Sequence, residues 1–280
     1  MFLIYKICRK SIKVIYIRNM KRAHLILSIL MILCGSKISA QNLNEYKEAR
    51  YSNGKDSINY RILFPENFNP AKKYPIVFFL HGSGERGNDN QKQLTHGGSL
   101  FLKPELRNKF EAIVIFPQCP EKDFWSNVKI NAGQTGKNRF TFQKRGKPTS
   151  AMQALMGMIN EQLKEPYVDK KRVYVGGLSM GGMGTFELLR RKRNTFAAAF
   201  TICGGDNIAN VKKYKHVPLW IFHGGKDDVV SFELSKDIAD QLKIIGKEVK
   251  YTLYADDNHN SWDSAFAEPQ LLPWLFSHHR

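Results

Sequence analysis

In Gly177-Leu178-Ser179-Met180-Gly181 a serine stands between two glycines, directly after an apolar run that begins Val173-Tyr174-Val175 and just ahead of helix-like sequence from Met183 to Arg193. A strand that delivers a serine into so tight a turn imposes strained backbone angles on it. The flanking glycines then avoid collision with the neighbouring strand and helix. Such a nucleophile elbow presents the hydroxyl at a helix N-terminus, where developing negative charge is favoured. The hydroxyl attacks only if a base takes its proton and an acid orients the base, so two more residues are required. With an elbow serine they follow in the chain, acid before histidine. Phe222-His223-Gly224-Gly225-Lys226-Asp227-Asp228 supplies two competing carboxylates, and Asp227 is expected to be the acid, with Asp228 exposed or supporting. His259, in Asp256-Asp257-Asn258-His259-Asn260, is the expected base. His96 comes before the serine, His216 falls in a linker, and His278 and His279 are terminal.

These residues need a scaffold that brings loops to one edge. Glu48 to Tyr51 and Ile58 to Phe64 read as an antiparallel pair around the turn Asn53-Gly54-Lys55-Asp56. Continuous apolar runs follow at 74–80, 112–116, 173–175, 197–202 and 219–222, with a less buried one at 249–254. Runs without alternation belong in a parallel sheet covered on both faces. Helical patterns lie between them, at 150–163, 183–193 and 233–245. The expected fold is therefore α/β: a mostly parallel central sheet with an antiparallel N-terminal strand pair and helices on both faces. Ala132 to Lys147, rich in Gly, Lys and Asn, interrupts the alternation and reads as a long connection at a substrate-binding rim.

The first forty residues differ in kind. They hold eight basic and no acidic residues, an apolar stretch from Ala23 to Gly35, and a small residue at Ala40. That is the pattern of a secretory signal peptide, with Met20 as the more natural start and cleavage expected after Ala40. Leu33 is too large to precede a lipidated Cys34, and the apolar run is short for a bilayer span, so no stable membrane anchor is expected. The expected organisation is an N-terminal extension and signal peptide (1–40), then one catalytic domain (41–280) that is secreted or periplasmic. Removing 1–40 lowers the formal net charge from +18 to +10. The remaining basic residues form short scattered clusters without a nucleic-acid-binding module, which excludes nucleic acid as the expected partner. Cys119 and Cys203 are the cysteines left after cleavage, and they fall on strands not expected to be neighbours, so free buried thiols are expected.

Taken together, His81-Gly82-Ser83-Gly84-Glu85-Arg86-Gly87 with Asp89-Asn90, Pro117-Gln118-Cys119-Pro120, Gly177 to Gly182 and His259-Asn260-Ser261-Trp262 resemble a known family. It is the secreted esterase and predicted-peptidase branch of the α/β-hydrolases, related to polyhydroxybutyrate depolymerases, feruloyl esterases and prolyl-oligopeptidase catalytic domains. The resemblance implies an α/β-hydrolase fold with the elbow strand central. It implies an oxyanion hole formed by the backbone N–H groups of Ser83 and Met180, with His81 shaping the loop rather than acting as base. It also implies Trp125 as a wall of the acyl or alcohol pocket; a packing role suits that residue equally. The expected activity is hydrolysis of carboxylic esters through an acyl-enzyme, on a small molecule or on acyl or feruloyl groups borne by polysaccharide. A serine peptidase of the prolyl-oligopeptidase type is the alternative, disfavoured because 41–280 has no room for a propeller domain. A binding protein with a dead site is disfavoured by the complete set of Ser179, Asp227 and His259. Neither cofactor nor metal is expected, since this chemistry needs none.

Overall fold

Residues 42–280 are described by a computed structural model. The expected signal peptide, start site and cleavage point lie outside the described residues. Strands β1 (Lys47–Ser52), β2 (Ser57–Leu63), β3 (Tyr74–Leu80), β4 (Ile113–Gln118), β5 (Val128–Ile130), β6 (Phe140–Phe142), β7 (Val168–Leu178), β8 (Ala198–Ile202), β9 (Leu219–Gly224) and β10 (Lys250–Tyr254) form two sheets. The main one has eight strands in the order β1-β2-β4-β3-β7-β8-β9-β10. From β4 to β10 in that order all neighbours pair in parallel; β2 pairs antiparallel with β4, and β1 antiparallel with β2 at the edge. The β1–β2 turn closes where Asn53 Oδ1 accepts the N–H groups of Lys55 and Asp56. This is an α/β-hydrolase architecture, with the elbow strand β7 between β3 and β8.

Every residue of β3, β4, β8 and β9 is buried, as their unbroken apolar sequence requires. Alternate side chains feed two cores. Ile76, Phe78 and Leu80 face one layer, whereas Val77 and Phe79 face the other. The first layer is covered by α2 (Ser150–Gln162), α3 (Met180–Arg191) and α5 (Phe232–Ile244), following the short α1 (Pro104–Lys109) and with α4 (Val211–Tyr214) beside them. The second is closed by α6 (Trp262–Ala267) and α7 (Leu271–Ser277) with the turns around Leu100 to Leu102. Thr149 and Ser231 cap α2 and α5 through their hydroxyls. Gln41–Arg280 forms one compact unit. Among the described residues no helix is long and apolar enough to cross a membrane.

Two expectations change in detail. The helix after the elbow begins at Met180 rather than Met183, because it starts as soon as the turn at Ser179 is complete. The connection at 132–147 is not without structure: β6 pairs back onto β5, and Phe142 is buried among Met183, Val230 and Leu234. Three-residue strands carry too little periodicity to be read locally. Cys119 and Cys203 are both free and buried, after β4 and β8, which β3 and β7 separate.

Candidate active site

Ser179 directly follows β7 with φ 53° and ψ −118°, a left-side conformation that is uncommon for a residue with a side chain. What holds it there is close packing. A Cβ on Gly181 would overlap the carbonyl oxygen of Leu80, and one on Gly177 would overlap the Gly181 carbonyl. Thus α3 rests directly on the ends of β3 and β7, and the first helical N–H, that of Met180, has no acceptor within the helix.

The loops after β9 and β10 deliver the other two groups. His259 Nε2 lies 2.9 Å from Ser179 Oγ, and His259 Nδ1 lies 2.8 Å from Asp227 Oδ2. With Nδ1–H donating to the carboxylate, Nε2 is left as the acceptor for the serine hydroxyl. The Asp227 side chain is fully buried, and its Oδ1 accepts the N–H groups of Val229 (2.9 Å) and Val230 (2.8 Å). Burial pushes this carboxyl up, but hydrogen bonds from His223, His259 and Val230 outweigh it and hold the group well below the usual carboxylate range. Asp228 is exposed and its side chain joins none of this.

Sequence reasoning missed the supports beneath Asp227. His223, fully buried, has Nε2 3.2 Å from Asp227 Oδ2 and 2.8 Å from the Val230 carbonyl, while Nδ1 lies 2.7 Å from Ser235 Oγ. The signal was its spacing four residues before Asp227. Cys203 is also adjacent, its Sγ within 4.8 Å of donor atoms of Asp227 and His259. Burial and the Asp227 charge push its thiol well up, so it stays protonated. A zinc-type ligand must be a thiolate, and Asp227 and His259 already bond each other, so this trio is a poor metal centre.

The loop after β3 forms the opposite wall. Ser83 opens the turn Ser83–Glu85, following Gly82 in extended conformation. Arg86 donates to the Ser83 carbonyl (3.0 Å) and the Asp123 carbonyl (3.3 Å), and Gln118 Nε2 donates to the Glu85 carbonyl (3.2 Å), which pins the loop. His81 is buried, and burial lowers its pKa to about 4, so it is neutral. Its Nε2 accepts the Cys119 N–H (2.9 Å) and Nδ1–H donates to the Gly82 carbonyl (2.6 Å), which is a loop-shaping role. Trp125 has no exposed surface; its Nε1–H donates to the His81 carbonyl at 3.2 Å and its Cβ backs onto Gly184. Of the two roles expected for Trp125, its position carries packing and not a pocket wall.

A strained serine at the end of a central parallel strand, bonded to a histidine and through it to a buried carboxylate, invites comparison with known hydrolases. The phospholipase/carboxylesterase family model matches residues 69–270. The chain belongs to that family. A thermostable esterase of known crystal structure superposes on this carboxylesterase-type hydrolase with a TM-score of 0.75 at 32% identity, covering 85% of this chain and 64% of that one. A bifunctional acetylxylan esterase/xylanase of Neocallimastix patriciarum is 28% identical over 69% of this chain and 24% of its own length. Lysophospholipase-like protein 1 of Mus musculus is 27% identical over 65% of this chain and 79% of its own. The carboxylesterase-type chain thus spans about a quarter of the first curated relative and just under two thirds of the crystallised esterase.

Proposed function

We propose that this hydrolase is an exported serine esterase in which Ser179, His259 and Asp227 act as a catalytic triad, and that its substrates are acyl or feruloyl esters borne by polysaccharide. The observation that carries the reading is the unbroken hydrogen-bonded line from Ser179 Oγ through His259 to Asp227. His259 Nε2 takes the hydroxyl proton as Ser179 Oγ attacks the ester carbonyl. The carbonyl oxygen becomes an oxyanion facing the N–H groups of Ser83 and Met180. When the tetrahedral centre collapses, the C–O bond to the alcohol breaks and His259 gives that alcohol its proton. Water, deprotonated by His259, then attacks the acyl-serine; the acid leaves and Ser179 recovers its proton. Asp227 keeps its negative charge throughout and holds the imidazole in the required tautomer. The acetylxylan esterase relative supports the polysaccharide ester as substrate class, and the basic, apolar N-terminal forty residues support export.

The experiment is hydrolysis of p-nitrophenyl acetate by residues 41–280. Ser179→Ala is expected to lower kcat by about 10⁴-fold or more; a variant as active as the wild type overturns the triad. Acetylated xylan, a feruloylated oligosaccharide and a peptide panel then test the substrate class. Turnover of the peptides alone would replace the esterase reading with a peptidase.

A further inference from the structure

We propose that Glu85, His96 and Trp262 form a sugar-binding subsite for the leaving alcohol, in which the Glu85 carboxylate accepts hydrogen bonds from pyranose hydroxyls. The inference rests on the reading of Ser179 and His259 as nucleophile and base. Glu85 ends the same turn that Ser83 opens, and its carboxylate folds back toward the serine. From the point where a Cβ on Gly82 would stand, Glu85 Oε2 is 3.0 Å away and Ser179 Cβ 3.7 Å away. The Glu85 side chain is only 13% exposed, yet among the described residues no N–H or O–H group donates to its carboxylate. His96 Nε2 stands 3.7 Å from Glu85 Oε1, beyond hydrogen-bond range. Neither Glu85 oxygen is among the fully enclosed polar atoms that lack a partner, so the carboxylate opens outward and takes its donors from water or from ligand hydroxyls.

The neighbours indicate what kind of ligand that is. The His96 ring lies 4.9 Å from the Trp262 ring, tilted by 44°, and Trp262 meets the His259 ring edge-on at 5.5 Å. The carboxylate therefore belongs to a wall that runs to His259, the group that protonates the departing alcohol. An alcohol held there meets an aromatic surface and a two-oxygen acceptor at once. A pyranose fits both, with its C–H face on the indole and adjacent hydroxyls on the carboxylate. A simple alkyl or aryl alcohol leaves the carboxylate without donors, which is how a polar site rejects an analogue that lacks hydroxyls. A ligand ammonium could also pair with Glu85. The free amine of an exopeptidase substrate, however, belongs to the acyl half of the scissile bond and not to the leaving group.

Two measurements test this. In the first, xylobiose is titrated into the Ser179→Ala protein, with binding read by saturation-transfer NMR. Binding is expected, and it should weaken about tenfold or more on adding Glu85→Gln, the isosteric change, or Trp262→Leu. Absence of binding, unaltered binding in both variants, or tighter binding of alaninamide than of xylobiose overturns the subsite. The second is the ratio of kcat/KM for an acetylated methyl xyloside to that for p-nitrophenyl acetate. Glu85→Gln is expected to lower this ratio about tenfold. If both constants fall in proportion, Glu85 merely shapes the loop and the inference fails. Because the first measurement needs no turnover, it still reads the subsite if the triad assignment is wrong.

Discussion

Asp227 and Asp228 are adjacent, carry the same functional group, and differ in everything else. One is buried and receives hydrogen bonds from two backbone amides and two histidines; the other faces solvent. Asp227→Asn is expected to lower kcat on a p-nitrophenyl ester by about 10³–10⁴-fold, because the amide no longer fixes the His259 tautomer. Asp228→Asn should stay within about twofold of wild type, since surface changes of this kind have small effects. Equal losses in steady-state kinetics would reassign the acid. The depressed pKa of Asp227 also has a stability consequence. The carboxylate stabilises the native state at neutral pH, and that contribution is lost as pH falls below the ordinary carboxylate value of 3.8.

Among the elements, α3 packs against backbone with no room for a side chain at Gly181, and the loop after β8 carries a buried polar network. Gly181→Ala drives a methyl group into the Leu80 carbonyl, where neither backbone can give way. Urea unfolding is expected to show a loss above about 4 kcal/mol, the range reserved for such clashes. Gly84→Ala is the control: its Cβ meets nothing within 4 Å, and a change within about 0.5 kcal/mol is expected. After β8, the buried Asp206 accepts hydrogen bonds from Asn207 N–H (2.7 Å) and Asn210 Nδ2 (3.0 Å). Asn207 and Asn210 in turn hold the β5–β6 ribbon through the carbonyls of Phe142 and Gln143. Burial pushes the Asp206 carboxyl up from 3.8 to about 6. An acid raised in the native state binds its proton there more tightly than in the unfolded chain. Its contribution is therefore complete below pH 3.8 and is lost as pH rises through about 6. The melting temperature of Asp206→Asn relative to wild type should accordingly climb between pH 4 and 6 and then level off. A flat difference across that window would show that Asp206 titrates normally.

At the scale of the whole molecule, two faces of one sheet are sealed by helices, and both thiols of 41–280 lie inside. Burial pushes both thiols well above the ordinary cysteine range. A thiol reagent such as dithionitrobenzoate should therefore label neither cysteine in the native protein and both after denaturation. Native labelling within seconds would contradict this packing. The fold itself was legible in outline because the covered parallel strands β3, β4 and β8, and the second half of β7, are largely apolar runs, and burial on both faces leaves that mark on a sequence. The β5–β6 ribbon was not, since its strands are held by Phe142 entering a cluster built from α3, α5 and the loop after β9.

The sequence by itself carried the Gly177-to-Gly181 elbow motif, the chain order of Ser179, Asp227 and His259, and the apolar runs that precede them. Those are local properties: glycine where no side chain fits, apolar runs of strand length, loops following them. Only the tertiary structure showed Asp227 bonded to His259 with Asp228 left in solvent, sent Trp125 into the core and placed His223 beneath the carboxylate. It also brought Glu85 beside His96 and Trp262. Each of these depends on which loops meet at the ends of parallel strands, and a crossover connection brings together residues far apart in the chain without leaving any periodicity to read.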